Sequence, residues 1–266
     1  MKPKCLLPLW LLLLSAGGQS ALAQTSAGAT APDMAHESHH TLLFENSQVR
    51  VFSLKLGYNE SELTLHDHAF LLVTLEDCQP AMWLEGQSPI VPGTLKQGQV
   101  NFLSGLWARG MRNDQKSICR FVVVEFLDLR ATMNAGSGFA DTGFAGNAGP
   151  SVDPAGKVDR ATKLIATVPL GASYVTTAYL PHGESIPARP NDIGELLIAI
   201  SDLDLKTVDP KTEDIKTEDE SHIRKSPGEL EWIEPGHGAA WESEGSVPAR
   251  FVLVRFLTED YAGSGK

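Results

Sequence analysis

From Thr41 onward the chain is written in short runs of apolar and polar residues that do not follow a helical period. Gln48 to Leu56 places Val49, Val51, Ser53 and Lys55 on one face and Arg50, Phe52, Leu54 and Leu56 on the other, the period of two that a pleated strand imposes. Phe70 to Leu75 and Arg120 to Phe126 (RFVVVEF) are short apolar runs, and Gly, Asn and Pro separate such runs at the intervals of sandwiches and barrels. No convincing amphipathic helix interrupts them, so the pattern predicts an all-β protein.

The pattern also repeats. Arg250 to Phe256 (RFVLVRF) answers RFVVVEF 130 positions on, and Leu196 to Asp202 answers Leu71 to Asp77 125 positions on. Asn59-Glu60-Ser61 pairs in the same way with Gly183-Glu184-Ser185. Small drifts in offset are what changes in loop length produce between two copies, so the chain reads as an internal duplication. The first copy is expected over 41–129 and the second over 161–258. Between them, 130–160 is Gly/Ala-rich and reads as a linker or long surface loop. Asp202 to Lys225 is dense in Asp, Glu, Lys and Thr and is expected as an exposed hairpin loop.

The ends read differently. Lys2 and Lys4, the apolar run Cys5 to Leu14 and the A-x-A site Ala21-Leu22-Ala23 have the layout of a signal peptide spanning 1–23, with cleavage after Ala23. The run is too short to cross a bilayer. Gln24, not Cys, follows the cleavage point, which argues against a lipoprotein. A periplasmic or secreted location is therefore expected, with no membrane span after cleavage. Residues 24–40 carry no periodicity and are expected as a flexible tail in which His36, His39 and His40 cluster by chance; 259–266 are a C-terminal tail.

Charge and cysteines narrow the function only slightly. A net charge of -11 with no basic stripe excludes nucleic acid as a partner. Cys78 and Cys119 remain after cleavage. They are equally readable as a disulfide or as two buried thiols, since sequence does not show the approach of their Cα atoms. Nucleophile elbows, phosphate loops and dinucleotide fingerprints are absent.

His66-Asp67-His68 follows a polar turn and precedes an apolar strand; Gly98 to Leu103 and Asn113 follow at about thirty residues' distance. These stretches resemble the two motifs of the cupin superfamily. In the second copy Pro181 to Pro187 and Gly228 to Gly236 resemble the same two motifs. The resemblance implies two double-stranded β-helix barrels, each with a cavity at one mouth. In active cupins that cavity holds a divalent metal on an H-x-H pair, a Glu and a second-motif His, which leaves coordination positions open to substrate.

Carried over residue by residue, the ligand set is incomplete in both copies. The first keeps His66 and His68, placed to share one strand face, but has Phe70 or Leu72 where the Glu belongs and Arg109 at the second-motif His. An arginine keeps its proton and repels a metal. The second copy keeps Glu195, but reads Arg189-Pro190-Asn191 at the H-x-H positions and Ala239 at the last, with His237 two residues away. The expected function is accordingly a bicupin-like protein that binds a small ligand in the first barrel without a standard metal centre. Arg109 is the clamp for an organic anion, and His66, His68 and Asn113 lie near the mouth. The rivals are a metal-dependent oxygenase or isomerase using His66 and His68, and a non-catalytic module in which strands such as RFVVVEF pair barrel edges in a homodimer.

Overall fold

The computed structural model describes residues 31–103, 105–127, 164–170, 173–188, 194–208, 222–237 and 240–256. The proposed signal peptide, the 130–160 linker, most of the acidic loop, Arg189 to Asn191, Ala239 and the C-terminal tail lie outside them. The described residues form strands and turns with no helix, as the alternation predicts.

Each copy is a large sheet and a small one. In the first, β1 (His40–Glu45), β2 (Val49–Leu56), β8 (Cys119–Phe126), β4 (Phe70–Thr74) and β6 (Val100–Leu103) lie side by side in that order. The small sheet is β3 (Ser61–His66), β7 (Trp107–Arg112) and β5 (Ala81–Leu84). In the second copy the large sheet runs β9 (Leu164–Leu170), β10 (Ser173–Leu180), β17 (Ala249–Phe256), β12 (Glu195–Ala199) and β15 (Leu230–Ile233). Its small sheet is β11 (Ser185–Ile186), β16 (Ala240–Ser243), β13 (Leu203–Val208) and β14 (His222–Lys225). The order is the same in both copies, β14 being the one addition.

The duplication holds rung by rung. Leu56 faces Cys119 and Leu180 faces Ala249; Phe70 faces Glu125 and Glu195 faces Arg255. The offsets of 130 for β8 to β17 and 125 for β4 to β12 are therefore those of the sequence. Strands β13 and β14, which flank the acidic segment, pair antiparallel; the expected loop between them lies outside the described residues.

The two large sheets stack on their outer faces. Val49, Val51, Leu71, Val73, Val122 and Val124 from the first copy share one buried cluster with Val175, Leu196, Ile198, Val252, Val254 and Phe256 from the second. The other face of each sheet lines its own barrel: Phe52, Leu54, Leu56, Leu72, Phe121 and Val123 in the first, Leu180, Leu197, Phe251 and Leu253 in the second. The centre of RFVVVEF, Phe121 to Val124, is thus apolar without alternation because both of its faces are covered. It also lies between β2 and β4, so neither edge is open to another chain; the edge-pairing module expected of it does not hold for this strand.

Equivalent arginines clasp the stack. Arg120 Nη2 donates to the Pro227 carbonyl at 3.5 Å, and its counterpart Arg250 donates to the Gln97 carbonyl at 3.0 Å and to Gln97 Oε1 at 2.7 Å. Gln97 and Pro227 are themselves equivalent, so the contact is reciprocal, like that across a two-fold dimer interface. At the turn following Pro227, Gly228 has φ 90° and a Cβ there would meet Leu75 Cδ1 at 2.9 Å, so a residue with a side chain is excluded twice over.

Residues 31–40 correct the expected flexible tail. Met34 is buried in the first barrel's core, Asp33 bridges Leu65, and His40 opens β1. An apolar side chain that seals the barrel end supplies the ordering that composition alone did not reveal.

Cys78 and Cys119 are joined, with Cα atoms 5.5 Å apart, tying the loop before β5 to the start of β8. The crosslink closes a loop of 41 residues in sequence separation, and constraining the unfolded chain by a loop of that size stabilises by about 2–4 kcal/mol. Replacing both cysteines by serine should lower the urea-unfolding free energy by that amount with little change of fold by circular dichroism.

Candidate functional site

The interior of the first barrel is polar at one end because of an inverted alternation on β3. Glu62, Thr64 and His66 are buried while Leu63 and Leu65 face outward. Across the ladder Thr64 faces Arg109 and Glu62 faces Met111 on β7, so Arg109 is set against this polar row. His40 enters from β1. Together His40, Glu62, His66 and Arg109 line a cavity of about 20 Å³ whose remaining wall is Phe70, Leu72, Met82, Leu103 and Met111 among others. That is room for a water, an ion or the head of a small anion.

The groups around it are polarised unequally. Burial, reinforced by the positive charge of Arg109 and by repulsion from His40 whenever that ring is protonated, holds the His66 imidazole well below the usual histidine range, so it is neutral at pH 7. Burial also lowers His40, against an opposing contribution from Glu37, whose Oε2 lies 2.8 Å from His40 Nδ1. Glu62 is pushed up to about 8 by burial, with the Glu37 charge adding to it and the hydrogen bond from the Thr64 hydroxyl opposing it. Arg109 is lowered by burial yet remains a cation. The cavity is therefore surrounded at neutral pH by one cation, two neutral imidazoles and one protonated carboxyl.

Two ring nitrogens of the lining histidines are buried with no hydrogen-bond partner among the described residues, His40 Nε2 and His66 Nδ1. Since Glu37 accepts from His40 Nδ1–H, neutral His40 presents Nε2 as an acceptor. His66 stacks on Phe70 with ring centroids 4.0 Å apart and planes 13° from parallel. Phe70 occupies the position where the cupin motif has its metal-binding Glu, so an aromatic ring packs against the histidine in place of a carboxylate.

The structure brings together only part of the expected site. His66 and Arg109 share the cavity. His68 does not: β3 ends at His66, the following bend breaks the two-residue alternation, and His68 Nδ1 turns to Glu125 Oε1 at 3.3 Å. Glu125 is buried and held by Arg50, whose Nε and Nη2 reach Oε2 at 2.7 and 2.6 Å. Asn113 is also apart. Its Nδ2 donates to the Leu56 and Ser117 carbonyls at 3.0 and 2.7 Å and its Oδ1 accepts from the Gln115 amide at 2.9 Å, so its polar atoms are spent on tying the loop that joins β7 to β8 to the end of β2. Glu195 faces Arg255 across β12 and β17, with 3.9 Å between Oε1 and Nε.

These residues do not fit a cupin metal centre. Among the described residues no three His, Cys, Asp or Glu side chains are grouped so as to hold a metal ion. The His pair diverges, the Glu position is Phe70, and a cation lines the cavity. His40 and Glu62 are the members that motif reasoning missed. The alternation of Glu62, Thr64 and His66 with two leucines was the available signal, since three polar residues on one strand face oppose the ordinary reading that the apolar face is the inner one.

The buried acid and imidazole give the fold opposing pH limbs. The folded chain keeps the Glu62 proton up to about pH 8, whereas an unfolded glutamate loses it near its ordinary value of 4.5; stability therefore falls as pH rises through that window. His66 is neutral when folded but takes a proton when unfolded below about 6.5, so stability falls again as pH drops through that value. Glu62→Gln keeps an acceptor for Thr64 and cannot ionise. Its urea midpoint should stay flat between about pH 6 and 8 while that of the wild type declines; parallel declines in the two proteins would place the alkaline loss elsewhere.

No protein-family model and no curated protein matches the chain. Solved structures do. A glyoxylate-induced protein of Pseudomonas aeruginosa superposes with a TM-score of 0.55 at 13% identity over 82% of this chain and 79% of that one. A cupin 2 conserved barrel domain protein of Leptotrichia buccalis gives 0.51 at 10% identity over 85% and 91%. The oxalate decarboxylase of Bacillus subtilis gives 0.53 at 11% identity over 82% and 72%. At such identities the shared property is the fold: the chain has the two-barrel architecture seen in these cupin structures.

Proposed function

We propose that this is an exported bicupin whose first barrel binds a small carboxylate or comparable anion without a metal. The carrying observation is the enclosure lined by Arg109, His66 and His40, in which His66 Nδ1 and His40 Nε2 are buried with no partner among the described residues. The anion would take its countercharge from Arg109 and a hydrogen bond from His66 in the tautomer protonated at Nδ1. His40 Nε2 would accept from a ligand hydroxyl or a bridging water. Protonation of Glu62 supports the reading, because a neutral acid neither repels the anion nor competes for the guanidinium. The cavity volume sets the size class, a ligand of a few heavy atoms. Export is supported by the basic-apolar-small layout of 1–23 and by the Cys78–Cys119 bond, a linkage that persists in oxidising compartments.

Calorimetric titration with sodium formate tests the site. Arg109→Gln should weaken binding by about tenfold or more, the usual worth of a hydrogen bond to a charged group, and His66→Phe should do so to a lesser degree. His68→Gln, which alters the Glu125 contact, should leave affinity within about twofold. A stoichiometric transition metal in protein purified without chelator, lost together with formate binding on His66→Ala, would overturn the metal-free reading in favour of a metal-dependent enzyme.

A further inference from the structure

The polar side chains that line the first barrel's cavity are buried: His66 and Arg109 are 4% exposed and Glu62 is 6% exposed. A ligand therefore reaches them only when some part of the wall moves. Toward the end where β3 stops, the wall is braced by side chains. His66 stacks on Phe70, and Phe70 shares a rung of the large sheet with Glu125. Glu125 is buried in turn and tied to Arg50 and His68. Around the barrel the strands are joined by continuous ladders, such as the eight rungs of β2 on β8 and the six of β3 on β7.

Between the two sheets the wall is of a different kind. β1 ends the order of the large sheet and β3 that of the small one, and residues 32–39 run from one to the other. The Pro32 carbonyl accepts from the Leu65 amide at 2.8 Å, Asp33 bridges Leu65, and the chain reaches β1 with His40 facing Leu54. Both flanks supply cavity residues, His40 from β1 and Glu62 and His66 from β3. Glu37, midway along the span, lies 2.8 Å from His40 Nδ1, so the span runs beside the cavity. Much of its hydrogen bonding is internal. The Asp33 carbonyl accepts from the His36 and Glu37 amides at 3.1 Å each, and the Glu37 carboxylate accepts from the His39 amide at 2.8 Å and meets both the His39 and His40 rings. Its ties to the strands are the Pro32–Leu65 bond, the His39 carbonyl accepting from the Lys55 amide at 3.3 Å, and Met34, which is buried in the barrel core.

We propose that residues 32–39 are a strap that lifts off β3 to admit the anion, so that the first barrel opens sideways, between its sheets. The inference rests on the anion reading of that barrel and adds its entrance. A segment that keeps its own turns when it detaches loses only the ties at its flanks, whereas parting two strands breaks a whole ladder, and local opening follows the cheaper route. Closure of such a segment over a bound ligand also excludes water from the site. Met34 is the latch, because lifting the strap draws an apolar side chain out of the core. His40 joins the strap to the site, being at once the first residue of β1 and part of the cavity lining.

The rates of formate exchange on the full chain, measured by carbon-13 magnetic resonance with labelled formate, decide it. Asp33→Cys with Leu65→Cys places two thiols on a bridged pair, within disulfide reach. Oxidation of that pair should slow association and dissociation alike by at least about tenfold while the Kd stays within about twofold. Mild reduction, which spares the buried Cys78–Cys119 bond, should restore both rates. Met34→Ala, which loosens the latch without a crosslink, should speed dissociation by about fivefold or more and hasten hydrogen exchange at the Leu65 amide. Rates that ignore both the crosslink and Met34→Ala, in a chain that binds formate, would overturn the strap alone. Rates raised by His68→Gln but not by Met34→Ala would place the entrance at the other end of β3 and overturn it equally. Absence of formate binding to the unaltered chain would remove the anion reading, and the strap's role with it.

Discussion

The structure depends on one apolar contact, the stacking of two five-stranded sheets on their outer faces. A cupin barrel buries one face of each sheet within itself; here the second face of the large sheet is buried too, so β4 and β12 are inaccessible along their whole length. Hydrophobic burial on both faces removes the need for alternation and explains the unbroken apolar runs. It also relieves each barrel interior of having to be the sole core. The shared cluster contains more valine and leucine than either interior, and a polar end in the first barrel is tolerable in that setting.

What the duplication conserves is geometry, and what it varies is the identity of inward residues. The rung holding Arg50, Glu125 and Phe70 in the first copy holds Tyr174, Arg255 and Glu195 in the second. Each copy keeps one carboxylate and one arginine on that rung, but on different strands, and Arg255 additionally lies 5.3 Å from the Tyr174 ring centroid. Removing one partner of a buried pair costs about 3–5 kcal/mol, because it leaves the other charge uncompensated. The pairing is therefore preserved although neither residue stays in its place. This explains why a carboxylate at Glu195, which by motif position belongs to a metal, serves as an arginine partner.

The fold was legible because it is encoded redundantly. Periodicity at Gln48 to Leu56, the repeated RFV runs and the paired turns all point to two β-barrels, and each rests on local rules that tertiary context did not override. The site was half legible. Arg109 and His66 follow from motif spacing, but His68 fails because strand alternation ends one residue before it, an event decided by the close approach of Gly105, whose Cβ would stand 2.4 Å from the His68 carbonyl carbon. Asn113 fails because a matching residue type says nothing of where its amide is spent. His40 was hidden by composition: a sequence of Ala, Ser, Thr and His looks unstructured until Met34 fills the barrel end and carries the histidines inward. Such a contact between residues far apart in sequence leaves no periodic trace.

The electrostatics of the first cavity follow from the same packing. Met34 and β1 bring Glu37 close enough to raise Glu62 and to hold the Nδ1 side of His40. Glu37 itself, though penalised by burial, stays low because His39 and His40 hydrogen-bond to it. One carboxylate is thus kept ionised on the outer side of His40 and the other is kept neutral on the cavity side. The negative charge is withdrawn behind an imidazole, and the guanidinium of Arg109 lines the cavity. A metal requires the opposite arrangement, with carboxylate facing inward and no cation, and substitution of Phe70 by a glutamate alone would not restore it while Arg109 remains.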